Sequence, residues 1–511
     1  MYVEGSFLKP SAATFGFGLF LAINATSVWG GAFPLLPTEF QTFDVMMTFF
    51  LAQSSSFWIT LFAGMGLSFF SPELLRHRTS VSCGPFMGIG SICLIVPLYA
   101  QDHTIPLVVV GGILLGFGSA AFFLSWQRLF ASQNAEKGTL DLIVGMGYSA
   151  PLYVLLHTIP DAVAAFTIPL IFIPLAEVCL IEASKNIDFE QSMFADEPKE
   201  HIRIYSHSIN TVWKSALCVG SFGFASGIAR AIAIEDPSMG AFVNYTSMLG
   251  ALASAAILVW LWRHYSFRFD TVLSFRTLFP LIVTVFLLLP YLGGSYLRIF
   301  AGVMYMFFSF ATMIMMIQCA QASRDSGISP TFVYGFFGGI VYILQGVGFI
   351  AGYLSSTVFD SEPLRLTTIA LISVWVLAIV MYLVRGRFNP QSEQTRSIEF
   401  IALDPARKRN VDKNPEGNAR QRSMKWIQDP TGNQAYKDRI SKQCAILAKR
   451  YFLTMREAEV MELIARGSSV PRMAETLVIS ENTVRTYCKR LYTKLAVHKR
   501  KELLELFDEL E

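Results

Sequence analysis

Residues 106–126, PLVVVGGILLGFGSAAFFLSW, contain no charged side chain. A bilayer hydrocarbon core about 30 Å thick is crossed by roughly 20 apolar residues in an α-helix, so this stretch is long enough to span one. The whole chain has the same character, because 53% of its 511 residues are hydrophobic, only 15% are charged and the mean hydropathy is +0.45. This composition excludes an ordinary water-soluble protein of this length and favours a membrane protein.

Apolar stretches of similar length recur through the first 384 residues. Six come before and six come after a polar connection at residues 183–211. The predicted fold class is therefore all-α, with a polytopic twelve-helix membrane domain (residues 1–384) made of two six-helix halves. The predicted spans are residues 12–32, 45–70, 81–100, 106–126, 140–158, 162–182, 212–234, 241–262, 277–292, 295–317, 331–356 and 366–384.

This layout of two six-helix halves resembles that of the major facilitator superfamily. The resemblance implies a transporter or a protein that uses such a fold for sensing. From the end of the second predicted span to the start of the third, residues 66–80 are GLSFFSPELLRHRTS, which lacks the glycine-, acid- and arginine-rich signature usual in that superfamily. This difference favours sensing over transport, while both remain hypotheses.

The positions of Lys and Arg predict the orientation of the spans, because these residues are retained on the cytoplasmic side near span ends. With the amino terminus inside, the predicted cytoplasmic segments before residue 385 contain twelve Lys and Arg residues. The predicted outer segments contain only Arg365, at the edge of a span. We therefore expect a multi-pass protein of the inner (cytoplasmic) membrane of a bacterium, with both termini in the cytoplasm.

The two parts of the chain differ in charge. Residues 1–384 contain 16 Lys and Arg against 21 Asp and Glu, whereas residues 385–511 contain 25 against 17. The formal net charge of +3 thus conceals a basic carboxyl-terminal part, which favours a polyanionic partner. Residues 385–436 have few apolar side chains and are predicted to be a polar basic linker. If every residue from Arg385 to Arg450 were flexible, this tether would have a root-mean-square span of roughly 45 Å.

The carboxyl-terminal domain, residues 437–511, contains signals for four short helices near its end. Thr454 and Glu457 form a T-x-x-E capping box at the start of the first helix. Ser469 and Ser480 are expected to cap the second and the third. Residues at spacings of 4, 3 and 4 predict the buried stripe of the third helix: Val484, Cys488, Leu491 and Leu495.

The opposite face of the third helix carries cations and hydroxyl groups. A short helix that presents such side chains from its first turns, braced by a second helix, suits the major groove of DNA. For an arbitrary amphipathic helix a solvated basic face is the commoner explanation, and the residues alone leave both open. The outward-facing set is Thr483, Arg485, Thr486, Lys489, Arg490 and Lys494.

Residues 453–506 closely resemble the LuxR/FixJ-type helix-turn-helix domain of bacterial transcription regulators. The matching positions are Leu453-Thr454-x-Arg456-Glu457-x-Glu459-Val460, Gly467, Ala474-Glu475, Ile479-Ser480-x-x-Thr483-Val484, Tyr492-x-Lys494-Leu495 and Arg500.

The resemblance implies a four-helix cytoplasmic domain whose third helix contacts the bases of double-stranded promoter DNA. Arg485, Thr486 and Lys489 then contact bases, and Arg490 and Lys494 contact phosphates. In that family the fourth helix commonly pairs two copies. The apolar residues that would form a homodimer on DNA here are Leu503, Leu506, Phe507 and Leu510.

Charged residues within the predicted spans are few, and each is a functional hypothesis by default because an ion in lipid is unfavourable. Arg230 and Arg298 lie in the outer halves of the seventh and tenth predicted spans. We expect them to face inward and to bind an anionic or aromatic ligand. The alternative is that each extends to a lipid headgroup or pairs with a nearby acid such as Glu235.

Together these features predict a membrane-embedded one-component transcription regulator that senses a small molecule or a membrane signal. The alternative is a transporter with a fused regulatory DNA-binding tail. The expected partners are promoter DNA, the lipid bilayer, a small-molecule ligand, a second copy of the chain and RNA polymerase. We expect no enzymatic activity, cofactor or metal, since we find no hydrolytic triad, nucleotide-binding loop or metal-ligand cluster in the sequence.

Overall fold

The computed structural model describes residues 10–28, 35–36, 41–76, 83–185, 187, 189, 191–195, 198–199, 202–235, 237–265, 267–291, 293–359, 361–384, 398–400, 439–451, 453–465, 470, 473–474, 481–495, 497, 502–503 and 506.

Among the described residues of the first half of the membrane domain, six apolar helices correspond to the predicted spans. They are α1 (Ala12–Ile23, extended by a π-helical turn, Asn24–Val28), α2 (Phe43–Phe70), α3 (Cys83–Ile95), α4 (Thr104–Ser132), α5 (Ala135–His157) and α6 (Asp161–Ser184).

Six more apolar helices are described in the second half. They are α7 (Ile202–Glu235), α8 (Pro237–His264), α9 (Thr271–Leu287), α10 (Gly293–Ser326), α11 (Pro330–Val358) and α12 (Glu362–Val384).

Each predicted span overlaps an apolar helix. Within the described part of the chain, nine helices are long and apolar enough to cross a membrane, and α1, α3 and α9 are shorter. The ninth helix begins at Thr271, earlier than the predicted residue 277, because the Asp270 carboxylate accepts hydrogen bonds from the backbone N–H groups of Val272 and Leu273. The all-α, twelve-helix prediction is therefore confirmed.

Helices α7 and α11 pack with their backbones in direct contact. A Cβ atom at Gly227 would collide with the carbonyl oxygen of Gln345, and one at Gly348 would collide with the carbonyl oxygen of Phe224. In lipid there is little hydrophobic force between helices, so association depends on such close packing and on interhelical hydrogen bonds. One such bond joins this pair, from Gln345 Nε2 to Ser226 Oγ at 3.2 Å.

Two short antiparallel strands attach the predicted linker to the membrane domain. Strand β1 (Phe267–Phe269) lies between α8 and α9, and it pairs with β2 (Ile398–Phe400) in the register Phe267 to Phe400. Ile398 and Phe400 are buried, and the Phe400 ring contacts Trp262 edge-on at 5.3 Å between centroids. We call this β1–β2 pair with Trp262 the strand clamp. Strand β2 lies within the predicted linker, and 38 residues separate Phe400 from the next described helix.

The carboxyl-terminal domain has its own apolar core. Helix α14 (Met455–Ala465) packs against both α13 (Arg439–Arg450) and α15 (Glu481–Leu495). Each helix contributes fully buried side chains, and residues between and beyond them complete the core: Cys444, Leu447, Val460, Met461, Met473, Val484, Leu491, Leu495 and Leu503. The predicted capping residues Ser469 and Ser480 lie outside the described residues.

Candidate functional site

Helix α15 is amphipathic in the way that the sequence predicts. Val484, Leu491 and Leu495 are buried in the domain core, and Cys488 packs partly against it. The opposite face is exposed and carries Thr483, Arg485, Thr486, Lys489 and Arg490. The structure thus places five of the six predicted DNA contacts on one accessible surface, which we call the basic face of α15.

Arg485 makes one weak contact on this face. Its guanidinium lies 3.4 Å from the Glu481 carboxylate, one helical turn earlier, and both side chains are largely exposed. Exposed i,i+4 pairs contribute only about 0.3–0.5 kcal/mol, so the contact does not prevent Arg485 from engaging another acceptor.

The sixth predicted contact, Lys494, lies in a different environment. Its ammonium is 2.6 Å from a carboxylate oxygen of Glu457 on α14, and its side chain is 38% exposed against 4% for Glu457. The same Glu457 oxygen accepts the backbone N–H of Thr454 at 2.7 Å, and Thr454 Oγ1 accepts the Glu457 N–H at 3.4 Å. The predicted capping box is therefore confirmed. The ion pair between Lys494 and Glu457 links α15 to this capping box at the start of α14.

The ionised form of Glu457 is favoured by these contacts. Burial alone raises the pKa of the carboxyl group, but the hydrogen bonds from Lys494 and Thr454 outweigh burial and hold the pKa below its usual value. The domain thus contains an ionised carboxylate at the junction of two helices.

The predicted dimerisation residues occupy different positions. Leu503 is fully buried in the core of its own domain, and Leu506 packs partly against that core. Phe507 and Leu510 lie outside the described residues. Leu503 therefore stabilises the domain of a single copy and is not exposed for contact with a second copy.

The membrane domain contains a cavity of about 50 Å³ between α2, α7 and α11. Arg230 lines it and is only 7% exposed. Its Nε donates a hydrogen bond to the Tyr305 hydroxyl at 2.9 Å, and its guanidinium carbon lies 5.1 Å from the Tyr305 ring centroid and 5.4 Å from that of Phe50. These contacts hold the cation against two aromatic rings.

Arg298 is placed elsewhere. It is exposed on α10 and is not among the residues that line the cavity. Arg230 therefore shares the cavity with Gln53, Gln345 and several aromatic residues, including Tyr342. Arg298 is not part of this group. The sequence did not single out Tyr305, since a tyrosine within a span resembles any other apolar packing residue.

No metal-binding cluster is evident in the described part of the chain, where no three His, Cys, Asp or Glu side chains come close enough to hold an ion. The seven cysteines are all free thiols.

Comparison with known families identifies the carboxyl-terminal domain. Residues 452–507 match the model of the bacterial regulatory proteins, luxR family. The chain is 46% identical over 48 residues to a probable transcriptional regulatory protein, NarL, of Mycobacterium tuberculosis, which is 9% of this chain and 22% of that protein. It is 32% identical over 83 residues to an uncharacterised response regulatory protein, YgeK, of Escherichia coli K12, which is 16% of this chain and 56% of that protein. The chain thus spans less than two thirds of either relative.

Solved structures resemble the membrane domain. A bacterial homologue of the iron transporter ferroportin in an outward-facing state matches 73% of this chain and 97% of its own, with a TM-score of 0.50 and 11% identity. FucP, a major facilitator superfamily transporter in the outward conformation, matches 73% and 98%, with a TM-score of 0.47 and 12% identity. At such identity the likeness to the first shows the fold alone.

The chain therefore joins two parts: a membrane domain with a transporter-like fold and a LuxR-type helix-turn-helix domain at residues 452–507.

Proposed function

We propose that this protein is a one-component transcription regulator embedded in the bacterial inner membrane. It binds promoter DNA through α15 and senses a signal through its twelve-helix domain. The observation that carries this proposal is the basic face of α15, exposed on a domain that matches the luxR family and belongs to the same chain as the membrane helices. Both termini are then cytoplasmic, as the distribution of Lys and Arg predicts.

Within the basic face, Arg485, Thr486 and Lys489 contact bases and Arg490 contacts phosphate. Arg485 and Lys489 are four residues apart and hence one turn apart on α15, so both reach into one major groove. The Lys494 ion pair gives that residue a further role, which is to fix the angle between α14 and α15. A contact from Lys494 to phosphate would have to share its ammonium with Glu457.

The strand clamp supplies a route from the membrane domain to the DNA-binding domain. A ligand that favours one arrangement of the membrane helices shifts the population toward that arrangement. Because β1 lies between α8 and α9 and pairs with β2 of the linker, movement of these helices also moves the segment that leads to α13. We propose that the clamp transmits the signal as a change in the accessibility or pairing of the DNA-binding domains.

On DNA, two copies form a homodimer through the predicted fourth helix of the DNA-binding domain, which follows α15 and contains Phe507 and Leu510, with two-fold symmetric half-sites. RNA polymerase is the further partner of a regulator that activates. We propose no enzymatic activity for either part of the chain.

Binding of duplex DNA by the full-length chain in lipid nanodiscs tests this proposal. We expect sequence-selective binding whose logarithmic affinity falls linearly with the logarithm of salt concentration, since phosphate contacts release counterions. Arg490→Ala should weaken all sequences alike and reduce the slope by about 1. Binding to anionic lipid without selectivity for any duplex would contradict it.

A second candidate function is transport with a regulatory tail, which the fold of the membrane domain favours. Uptake into proteoliposomes distinguishes the two. A regulator that only senses should not move ligand across the bilayer. A transporter should accumulate ligand inside the proteoliposomes or exchange it with ligand outside.

A further inference from the structure

The cavity at Arg230 is formed by three helices from both halves of the membrane domain. Phe50, Gln53 and Phe57 come from α2 in the first half, Arg230 comes from α7, and Gln345 comes from α11. A molecule bound there touches helices of both halves at once. Such a molecule can favour one arrangement of the two halves over another.

A buried amide donor lines this cavity without a partner. Gln53 is only 2% exposed, and its Nε2 has no hydrogen-bond partner among the described residues. A buried N–H group without an acceptor destabilises a fold by about 1–3 kcal/mol. Gln345 Nε2 donates to Ser226 Oγ, whereas the amide nitrogen of Gln53 is available to an acceptor in the cavity.

The cavity also contains a positively charged group. The hydrogen bond from Arg230 Nε to Tyr305 and the contacts with two aromatic rings fix the plane of the guanidinium. The Arg230 guanidinium and the Gln53 amide line the same cavity. Guanidinium and amide N–H groups can together donate to a planar anion, and a carboxylate has the matching geometry.

The size of the cavity limits the ligand. A water molecule needs roughly 10–15 Å³ of such space, so about 50 Å³ accommodates about four heavy atoms. That is a carboxylate group with one or two further carbon atoms. Aromatic rings also line the cavity, from Phe57, Tyr342 and Phe349, and they suit an apolar carbon atom next to the carboxylate.

We propose that this cavity binds a small carboxylate, which accepts hydrogen bonds from Gln53 Nε2 and Arg230 and is the signal sensed by the membrane domain. The inference rests on the proposed regulator function and names the ligand class of its sensing site. The carboxylate comes either from a short-chain acid in water or from the head of a fatty acid in the bilayer. Both present the same group to Gln53 and Arg230, and experiment separates them.

Ligand-induced stabilisation of the purified full-length chain in detergent tests the site without reference to DNA, because a ligand that binds only the folded state raises the unfolding temperature. The probes are sodium propionate, decanoate below its micelle concentration, and propionamide as a neutral control of equal size, all at constant ionic strength. We expect propionate to stabilise the protein and propionamide to have no effect. Stabilisation by decanoate alone would identify a membrane-derived acid, and equal stabilisation by propionamide would overturn the proposal.

Two matched pairs of variants locate the site. Arg230→Gln should weaken propionate binding at least tenfold, whereas Arg298→Gln, on the exposed part of α10, should not change it. Gln53→Leu should weaken it about threefold to tenfold, the range for one neutral hydrogen bond. The control Gln321→Leu removes an amide outside the cavity. Undiminished propionate binding by a folded Gln53→Leu or Arg230→Gln chain would overturn the site.

Gln53→Glu keeps the size of the side chain and places a permanent carboxylate in the cavity. This variant should fold, lose propionate binding and give a transcription reporter the same output with and without ligand. If propionate binds the wild-type protein but never alters the reporter, the assignment of the site as the sensor fails while the DNA-binding function stands. If no carboxylate binds but the full-length chain still selects a duplex, the proposed regulator survives and this inference fails.

Discussion

The ammonium of Lys494 lies 2.6 Å from the Glu457 carboxylate, across 37 residues of sequence, and joins the last turn of α15 to the first turn of α14. Glu457 is almost completely buried and also closes the capping box with Thr454. The helix that carries the basic face is therefore oriented by one of its own cations.

Lys494→Met should destabilise the DNA-binding domain. It leaves the Glu457 carboxylate buried without its cation, and loss of one partner of a buried pair typically costs about 3–5 kcal/mol. Because Lys494 is partly exposed and water can replace some of its interaction, we expect about 1–3 kcal/mol. Hydrogen exchange of the α14 backbone in the full-length chain measures this change. Lys489→Met, which removes a fully outward-facing cation of the same helix, is the control and should leave exchange unchanged.

The stability of the same domain should depend on acid pH. The pKa of Glu457 is lowered in the folded state, so its contribution is fully present above the unfolded value of about 4.3 and is lost as pH falls through the folded pKa. Urea unfolding between pH 3 and pH 7 should show constant stability near neutrality and a decline below about pH 4.3. Lys494→Met should make this decline in stability less steep. An equally steep decline in that variant would show that other carboxylates, and not Glu457, cause the decline.

The strand clamp should be required for signalling but not for DNA binding. Phe400→Asp places a charge where a buried ring contacts Trp262, so the strand should separate from β1. We expect such a chain to bind DNA with wild-type affinity in nanodiscs and to show no ligand response in a transcription reporter. Phe400→Leu keeps an apolar side chain and should retain the response. A normal response from Phe400→Asp would show that the signal takes another route.

Reporter fusions test the orientation of the twelve helices. Fusions after Lys199 and after Gly386 should report the cytoplasm, and fusions at Asp102 or Asp236 should report the exterior, because the twelve cations near span ends lie on the predicted inner side. An exterior signal at Gly386 would place the basic face of α15 away from DNA and exclude the regulator.

Features that depend on residues close together in the sequence can be predicted from it, and features that depend on distant residues cannot. Apolar length predicts all twelve helices, and the spacing of Val484, Leu491 and Leu495 predicts the buried side of α15, because both depend on local periodicity. The ion pair of Lys494 could not be predicted this way, since a cation on a helix surface has the same pattern whether it contacts phosphate or a distant carboxylate.

Two other features depend on contacts between distant residues. The strand clamp joins segments of three residues each that lie more than a hundred positions apart, and neither Phe267–Phe269 nor Ile398–Phe400 is long enough to show a strand pattern. Arg230 and Arg298 both appear as isolated cations in apolar spans, and only the packing of α2, α7 and α11 distinguishes the buried one from the exposed one.

Selection from a pool of random DNA duplexes by the full-length chain in nanodiscs tests the central claim most directly, with Arg485→Ala and Lys489→Ala chains selected in parallel. The wild-type chain should enrich one motif with two-fold symmetry. Each variant should lose preference at one position of each half-site, where a bidentate base contact contributes about 1–3 kcal/mol, while binding to unselected DNA changes little. Enrichment of no motif by the wild-type chain, or of the same motif by all three chains, would contradict the assignment of α15 as the helix that recognises promoter DNA.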